Sequence, residues 1–220
     1  YPLRRQRQMC IRDRDYINGA NLVANNEIET VILNGKSRAY GLEFLFRKNE
    51  GKLKGWLAYT LSKSEQLTSG RNINEPGINN GEWYNTPYDK THDLSVNAVY
   101  ELSSKWKFNT NFLLQTGQPT NYPVGQYEFQ GLNVPIYNDN QRNANRLPTY
   151  HRLDLSATLT PVKNNNRDLQ AEWVFGIYNI YNRKNAASIA FSRNTETSAN
   201  EAIKTSIFGI VPSITYNFKF

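Results

Sequence analysis

Few groups in this chain could do chemistry. His92 stands between Asp89 and Asp93, and His151 stands beside Arg152 and Asp154. A histidine among carboxylates can act as a general base or hold a metal. A base needs a positioned partner within hydrogen-bond reach, and a metal site needs several ligands brought together. Neither need is met, so both histidines read as polar residues where a loop runs into a strand. Asn138-Asp139-Asn140 opens like a calcium-binding loop, but Arg142-Asn143 replace its glycine and no terminal glutamate follows. Asn164–Asn166 is turn chemistry. No glycine-rich phosphate cradle occurs. The expectation is a protein with no catalytic residue, no metal ligand and no cofactor.

What remains is the scaffold. Aromatic residues make up 13% of the 220, with Tyr the commonest. The mean hydropathy is −0.68. A membrane-spanning helix needs roughly 18 consecutive apolar residues. The longest candidate run here is Trp173–Tyr178, which includes a glycine. A transmembrane barrel is not excluded by that test, because only alternate residues meet lipid while the loops and lumen are polar.

From residue 37 onward the alternation is regular, which predicts strands with one apolar face. Arg38–Lys48 sets Tyr40, Leu42, Phe44 and Phe46 against Gly41, Glu43 and Arg47. After the turn Asn49-Glu50-Gly51, Lys52–Ser64 sets Leu57, Tyr59 and Leu61 against Ala58, Thr60 and Ser62. Thr91–Leu102 carries Leu94, Val96, Ala98 and Tyr100 on one side, with Asp93, Ser95, Asn97 and Glu101 on the other. Ser103-Ser104 turns the chain into Trp106, Phe108, Phe112 and Leu114, opposite Lys107, Asn109, Asn111 and Gln115. Leu153, Leu155, Ala157 and Leu159 oppose Arg152, Asp154, Ser156 and Thr158; after a polar turn, Leu169, Ala171, Trp173, Phe175 and Ile177 oppose Gln170, Glu172 and Gly176. The final run, Phe208 to Phe220, alternates Ile214, Tyr216, Phe218 and Phe220 with Ser213, Thr215, Asn217 and Lys219. Pro212 lacks a ladder donor, which predicts a bulge or an unpaired position there. Seven strands result, and Asn26–Leu33 is a candidate eighth. The polar, Gly/Pro/Asn-rich segments near 65–89, 118–149 and 183–206 read as loops.

A soluble β-sandwich would alternate as well. Three features favour a membrane barrel. The strands run to about a dozen residues, against about 5–6 in soluble sheets and about 9–11 for spanning ones. Connections alternate short and long, as periplasmic turns and extracellular loops do. Tyr59, Tyr100, Trp106, Tyr216 and Phe220 fall near strand ends, where an interfacial girdle belongs. The fold class expected is therefore all-β, an antiparallel up-and-down transmembrane segment of about seven or eight strands from a wider barrel. Its lipid-facing residues would be Tyr40, Leu42, Phe44, Leu57, Tyr59, Leu94, Val96, Phe108, Phe112, Leu153, Leu155, Trp173, Phe175 and Ile214.

The first 14 residues, YPLRRQRQMCIRDR, differ from the rest. They hold five Arg, one Asp and the chain's only Met (Met9) and Cys (Cys10). RQMCIRDR resembles translated sequencing-adapter sequence, so 1–14 reads as a foreign basic segment and 15–36 as an extracellular loop or partial strand. Residues 37–220 form the barrel region. Outside the first 14, 21 basic against 18 acidic residues leave +3, which implies no nucleic-acid partner.

Several stretches carry a family likeness. They are Tyr40-Gly41-Leu42-Glu43, Tyr59–Ser64, Pro87–Leu94, Gln115–Pro119, Arg146-Leu147-Pro148 with Tyr150–Asp154, and Tyr178–Asn185. In that order and spacing the chain resembles the C-terminal barrel of TonB-dependent receptors, most like those of Bacteroidetes. The resemblance implies a barrel of about 22 strands in the outer membrane of a Gram-negative bacterium. It implies energy-coupled uptake of a scarce nutrient such as a siderophore, a cobalamin or a glycan. The partners would be outer-membrane lipid, the barrel-assembly machinery, the TonB complex acting through a missing N-terminal part, and a small-molecule or glycan ligand at the extracellular loops. Tyr216, Phe218 and Phe220 would form the terminal assembly signal. The chain would then be a fragment. Two other readings compete: a self-contained small barrel with a structural or adhesive role, and an outer-membrane hydrolase using His92 or His151.

Overall fold

Alternating apolar and polar residues can satisfy one surface on each side of an extended chain, and strands are what this chain builds. The computed structural model describes residues 4–5, 11–16, 32–129, 132–161, 170–194, 196 and 200–219. Its strands are β1 (Arg4–Arg5), β2 (Ile11–Tyr16), β3 (Ile32–Lys48), β4 (Leu53–Thr68), β5 (Tyr84–Asn85), β6 (His92–Glu101), β7 (Trp106–Gln115) and β8 (Pro119–Thr120). They continue with β9 (Gly125–Phe129), β10 (Leu132–Ile136), β11 (Asn145–Arg146), β12 (Tyr150–Leu159), β13 (Gln170–Tyr178), β14 (Ser188–Arg193), β15 (Asn200–Thr205) and β16 (Val211–Lys219). The seven expected strands are β3, β4, β6, β7, β12, β13 and β16. They pair in sequence order as one antiparallel meander, with β1 and β2 on the outer edge of β3 and β5 against β4.

Two short turns show why the chain reverses where it does. Gly51 takes a φ of 85° between β3 and β4, a conformation that favours glycine. Between β6 and β7, the Ser103 hydroxyl accepts from the Lys105 and Trp106 amides at 3.2 and 3.1 Å. Strands β6, β7 and β12 are 10 residues long, and β13 and β16 are nine. β3 and β4 run on to 17 and 16 residues.

The registers are continuous, so each residue's parity carries from strand to strand. Phe46 lies opposite Leu57, Leu57 opposite Val96, Val96 opposite Phe112 and Phe112 opposite Leu153. Phe108 lies opposite Ala157, Ala157 opposite Phe175, and Phe175 opposite Ile214. By this register all fourteen residues expected to meet lipid share one face. Glu43, Asp93, Glu101, Lys107, Arg152, Asp154 and Glu172 share the other. The apolar face is uncovered: Phe46 is 69% exposed and Ile214 is 70%. Among the described residues the buried apolar side chains are Leu33, Ile78, Tyr84 and Pro119.

Aromatic rings line both margins of the apolar face. Near the short turns, Trp106 stacks on Phe108 at 6.3 Å, and Trp173 meets Tyr216 at 4.6 Å. Near the long connections, Tyr59 meets His92 at 6.2 Å and His151 meets Tyr181 at 5.5 Å.

Several expectations are corrected. The long connections are not plain loops. β4 continues to Thr68, β9 with β10 and β14 with β15 form hairpins, and β8 pairs with β11. β9 and β10 do alternate, with Tyr127 opposite Val134 on one face, but each runs for only five residues among Gly, Pro and Asn, which reads as loop. Pro212 causes no bulge: it sits opposite Ile177 in an unbroken register. β16 is an edge strand with β13 as its neighbour, and an edge tolerates a residue that donates nothing on its free side. Ile32 and Leu33 belong to β3, while the rest of the candidate strand at 26–33 lies outside the described residues. Among the described residues the sheet is open, since no pairing joins β16 to β3.

Candidate functional site

The polar order of the molecule is concentrated where the strands reach the long connections. Asp89, 1% exposed, is at the centre of one cluster. Its carboxylate accepts from the Ser64 amide at 2.6 Å and from Arg146 Nη2. Arg146 Nη1 also donates to the carbonyls of Gly117 and Asp89, at 3.1 and 3.3 Å. A side chain on Gly117 would lie 1.7 Å from the Leu147 carbonyl oxygen, so only glycine lets the two segments approach. Leu147 N donates to Gln118 O, Ser62 Oγ to Lys90 O, and Lys90 Nζ to Gln115 Oε1. Four of the stretches that carry the family likeness thus converge at one place on the rim.

Asn179 centres a second cluster. It is 1% exposed with a φ of 53°. Its amide donates to Asp154 at 2.9 Å, its side-chain nitrogen to Arg183 O at 2.8 Å, and its side-chain oxygen accepts from Arg183 N at 3.0 Å. Beside it on the polar face, Arg152 donates to Asp154, Tyr150 and Tyr178 at 3.0, 3.0 and 2.7 Å. The Arg152 guanidinium lies 4.1 Å over the Tyr178 ring. A cleft of about 190 Å³ below this group is lined by Asn109, Asn111, Asp154, Ser156 and Ser213. Amides, hydroxyls and a held carboxylate offer donors and acceptors to a polar ligand.

The long connections are tied to one another. The Arg142 amide donates to Asn79 at 2.8 Å, and Asn143 Nδ2 donates to Asn85 O at 2.7 Å. The Tyr122 ring meets Phe191 at 5.2 Å. Between these hairpins lies a cleft of about 280 Å³ lined by Pro123, Val124, Gln126, Pro135, Phe191 and Glu201. Arg71 clasps Glu75 with both carboxylate oxygens engaged. The Arg71 side chain and amide hold that carboxyl down to about 2.

The structure separates the histidines from catalytic partners. His92 Nδ1 lies 2.8 Å from the Tyr59 hydroxyl on the apolar face, while Asp93 accepts from Gln115 at 2.7 Å on the polar face. Asp89 is taken up by Ser64 and Arg146. His151 Nδ1 lies 2.8 Å from the Tyr181 hydroxyl. Asn138 accepts from the Asn140 amide at 3.0 Å, as an ordinary turn does. Among the described residues no three His, Cys, Asp or Glu could hold a metal. Tyr216 and Phe218 lie on the apolar face of β16, and Phe220 lies outside the described residues. In the sequence Asp89 stands out only as a neighbour of His92, and the Asn143 and Asn179 anchors do not stand out. Their only signal there is a polar residue within a Pro-, Gly- or Asn-rich turn.

Compared with protein-family models, curated proteins and solved structures, the chain finds no match in any of the three.

Proposed function

We propose that this chain is the C-terminal barrel region of an outer-membrane TonB-dependent receptor, taking part in energy-coupled uptake of a scarce nutrient such as a siderophore, a cobalamin or a glycan. One observation carries the reading. A continuous meander presents an uncovered apolar face with aromatic margins, a polar face opposite, and all its long connections at one end. That division suits lipid outside and a wet lumen inside. The long connections and the Arg152 wall would then meet the ligand on the extracellular side, since loops on a rigid scaffold carry recognition. TonB would act through a part of the receptor beyond these 220 residues.

The competing readings draw less support. A self-contained small barrel needs β16 to close onto the β3 side, and the sheet ends openly at both. A hydrolase needs His92 or His151 beside an acid, and each is bonded to a tyrosine on the apolar face.

The test uses the complete gene product in its Gram-negative host. It should fractionate with the outer membrane, shift mobility on heating, and take up its nutrient only while the proton-motive force and TonB are intact. Recovery from the soluble fraction, or uptake indifferent to both, would sink the proposal.

A further inference from the structure

We infer that the ligand carries a nonpolar aromatic ring beside its polar part, and that a pocket at the long-connection end of β12 and β13 holds this ring; this rests on the receptor reading above. The pocket, of about 270 Å³, is lined by Tyr150, Tyr178, Ala186, Ala187, Ile207 and Phe208, with Asn179 and Asn185. The register sets Tyr150 opposite Gln115 and Tyr178 opposite Val211. Both tyrosines therefore belong to the polar face of the sheet, which the receptor reading turns to the lumen. The approach to β14 supplies the two alanines, and the link from β15 to β16 supplies Ile207 and Phe208. Phe208 meets Tyr178 edge-on, with ring centroids 6.4 Å apart.

The polar side-chain groups around this pocket are already engaged. The Tyr150 and Tyr178 hydroxyls accept from Arg152 Nη1 at 3.0 and 2.7 Å. Asn179 Nδ2 donates to the Arg183 and Phe208 carbonyls, and its Oδ1 accepts from the Arg183 amide. Asn185 Nδ2 donates to the His151 carbonyl, and its Oδ1 accepts from the His151 amide and Arg183 Nε. A guest therefore meets aromatic rings, methyl groups and an isoleucine. A hydroxyl or charge taken from water into such a place loses hydrogen bonds that nothing replaces. An aryl ring instead gains apolar burial and edge-to-face contact with Tyr178 and Phe208. Ile207 and Phe208 are 69% and 61% exposed, and a bound ring would cover part of both. The adjoining cleft of about 190 Å³ shares Tyr178 and has the opposite character. Its Asn111, Ser156 and Ser213 side chains have no hydrogen-bond partner among the described residues. One cleft with engaged polar groups beside one with free ones matches a ligand with an aryl ring at one end and hydroxyls or amides at the other.

The experiment takes the complete receptor, purified from the outer membrane into mild detergent. Binding of para-fluorophenyl β-glucoside is followed by its fluorine NMR signal, with empty micelles as the blank and methyl β-glucoside as competitor. The fluorophenyl compound should bind roughly 10- to 100-fold more tightly than the methyl compound, the gain from burying one ring. Ala187→Trp fills the pocket from an exposed position, and Phe208→Ala removes one wall. Both variants should keep the heat-modifiable band and bind the fluorophenyl probe about 10-fold or more weakly. Equal affinity for the two glucosides, or undiminished probe binding in either variant, would overturn the inference. So would the absence of probe binding at millimolar concentration, the result expected if a side chain from another part of the receptor fills the pocket. A heat-modifiable, TonB-dependent protein without preference for the ring fails this inference alone. A gene product absent from the outer membrane overturns the receptor reading as well.

Discussion

Asp89 and Asn179 show how single polar residues hold the rim. Removing the Asp89 carboxylate leaves the Ser64 amide and the Arg146 guanidinium without their acceptor. An unsatisfied partner of this kind costs about 1–3 kcal/mol. Asp89→Ala should therefore raise local opening by roughly 10- to 100-fold, seen as faster tryptic cleavage after Arg142 and Arg146. An unchanged cleavage rate would show that Asp89 does not hold the rim. Asn179 combines side-chain bonding with a φ of 53°. Asn179→Gly and Asn179→Ala both lose the bonds to Arg183, but alanine also pays for the left-handed backbone. Denaturant unfolding in detergent should place the alanine variant about 1 kcal/mol below the glycine variant. Equal stabilities would mean that the backbone conformation relaxes.

At the scale of the strand, parity decides what a position tolerates. Val96 lies mid-strand on the apolar face, between Leu57 and Phe112. Asn111 lies on the polar face, opposite Asn97 and Asp154. If the apolar face meets lipid, Val96→Arg should cost about 2–4 kcal/mol and reduce the folded, heat-modifiable band. Asn111→Arg, one residue from Phe112 on the neighbouring strand, should leave that band near wild type. Comparable losses from the two variants would argue against lipid on that face. Pro212 illustrates the same rule for the backbone. Its missing donor matters only on the side that has a partner, so an edge position absorbs it without a bulge.

At the scale of the molecule, the main sheet has two open ends among the described residues. β16 has β13 as its neighbour, and β3 carries only the short β1 and β2 at its other edge. Unpaired backbone at such edges is not tolerated in hydrocarbon and invites association in water. Refolded alone into detergent, the 220-residue chain should give aggregates and no heat-modifiable band, whereas the complete gene product should give one. A monodisperse, heat-modifiable species from the chain alone would require the edges to close on each other.

Period-two alternation was enough to determine the seven strands, their order and which side chains share a face. Each strand's pattern is local, and an antiparallel meander with short turns leaves little freedom in pairing neighbours. The fourteen apolar positions read from sequence therefore fall on one face. Other features depended on contacts between distant segments. Asp89 meets Arg146 across 57 residues of chain, and Asn79 meets Arg142 across 63. Neither pair has a periodicity that would announce it, because a buried polar bond needs two particular atoms and no pattern around them. The hairpins β9–β10 and β14–β15 were hidden for a different reason: their runs are only five or six residues long, too short among Gly, Pro and Asn for their alternation to stand out. Only the tertiary structure, by bringing the approach to β14 and the entry to β16 against the ends of β12 and β13, placed Ala187 and Phe208 around the same pocket as Tyr150 and Tyr178.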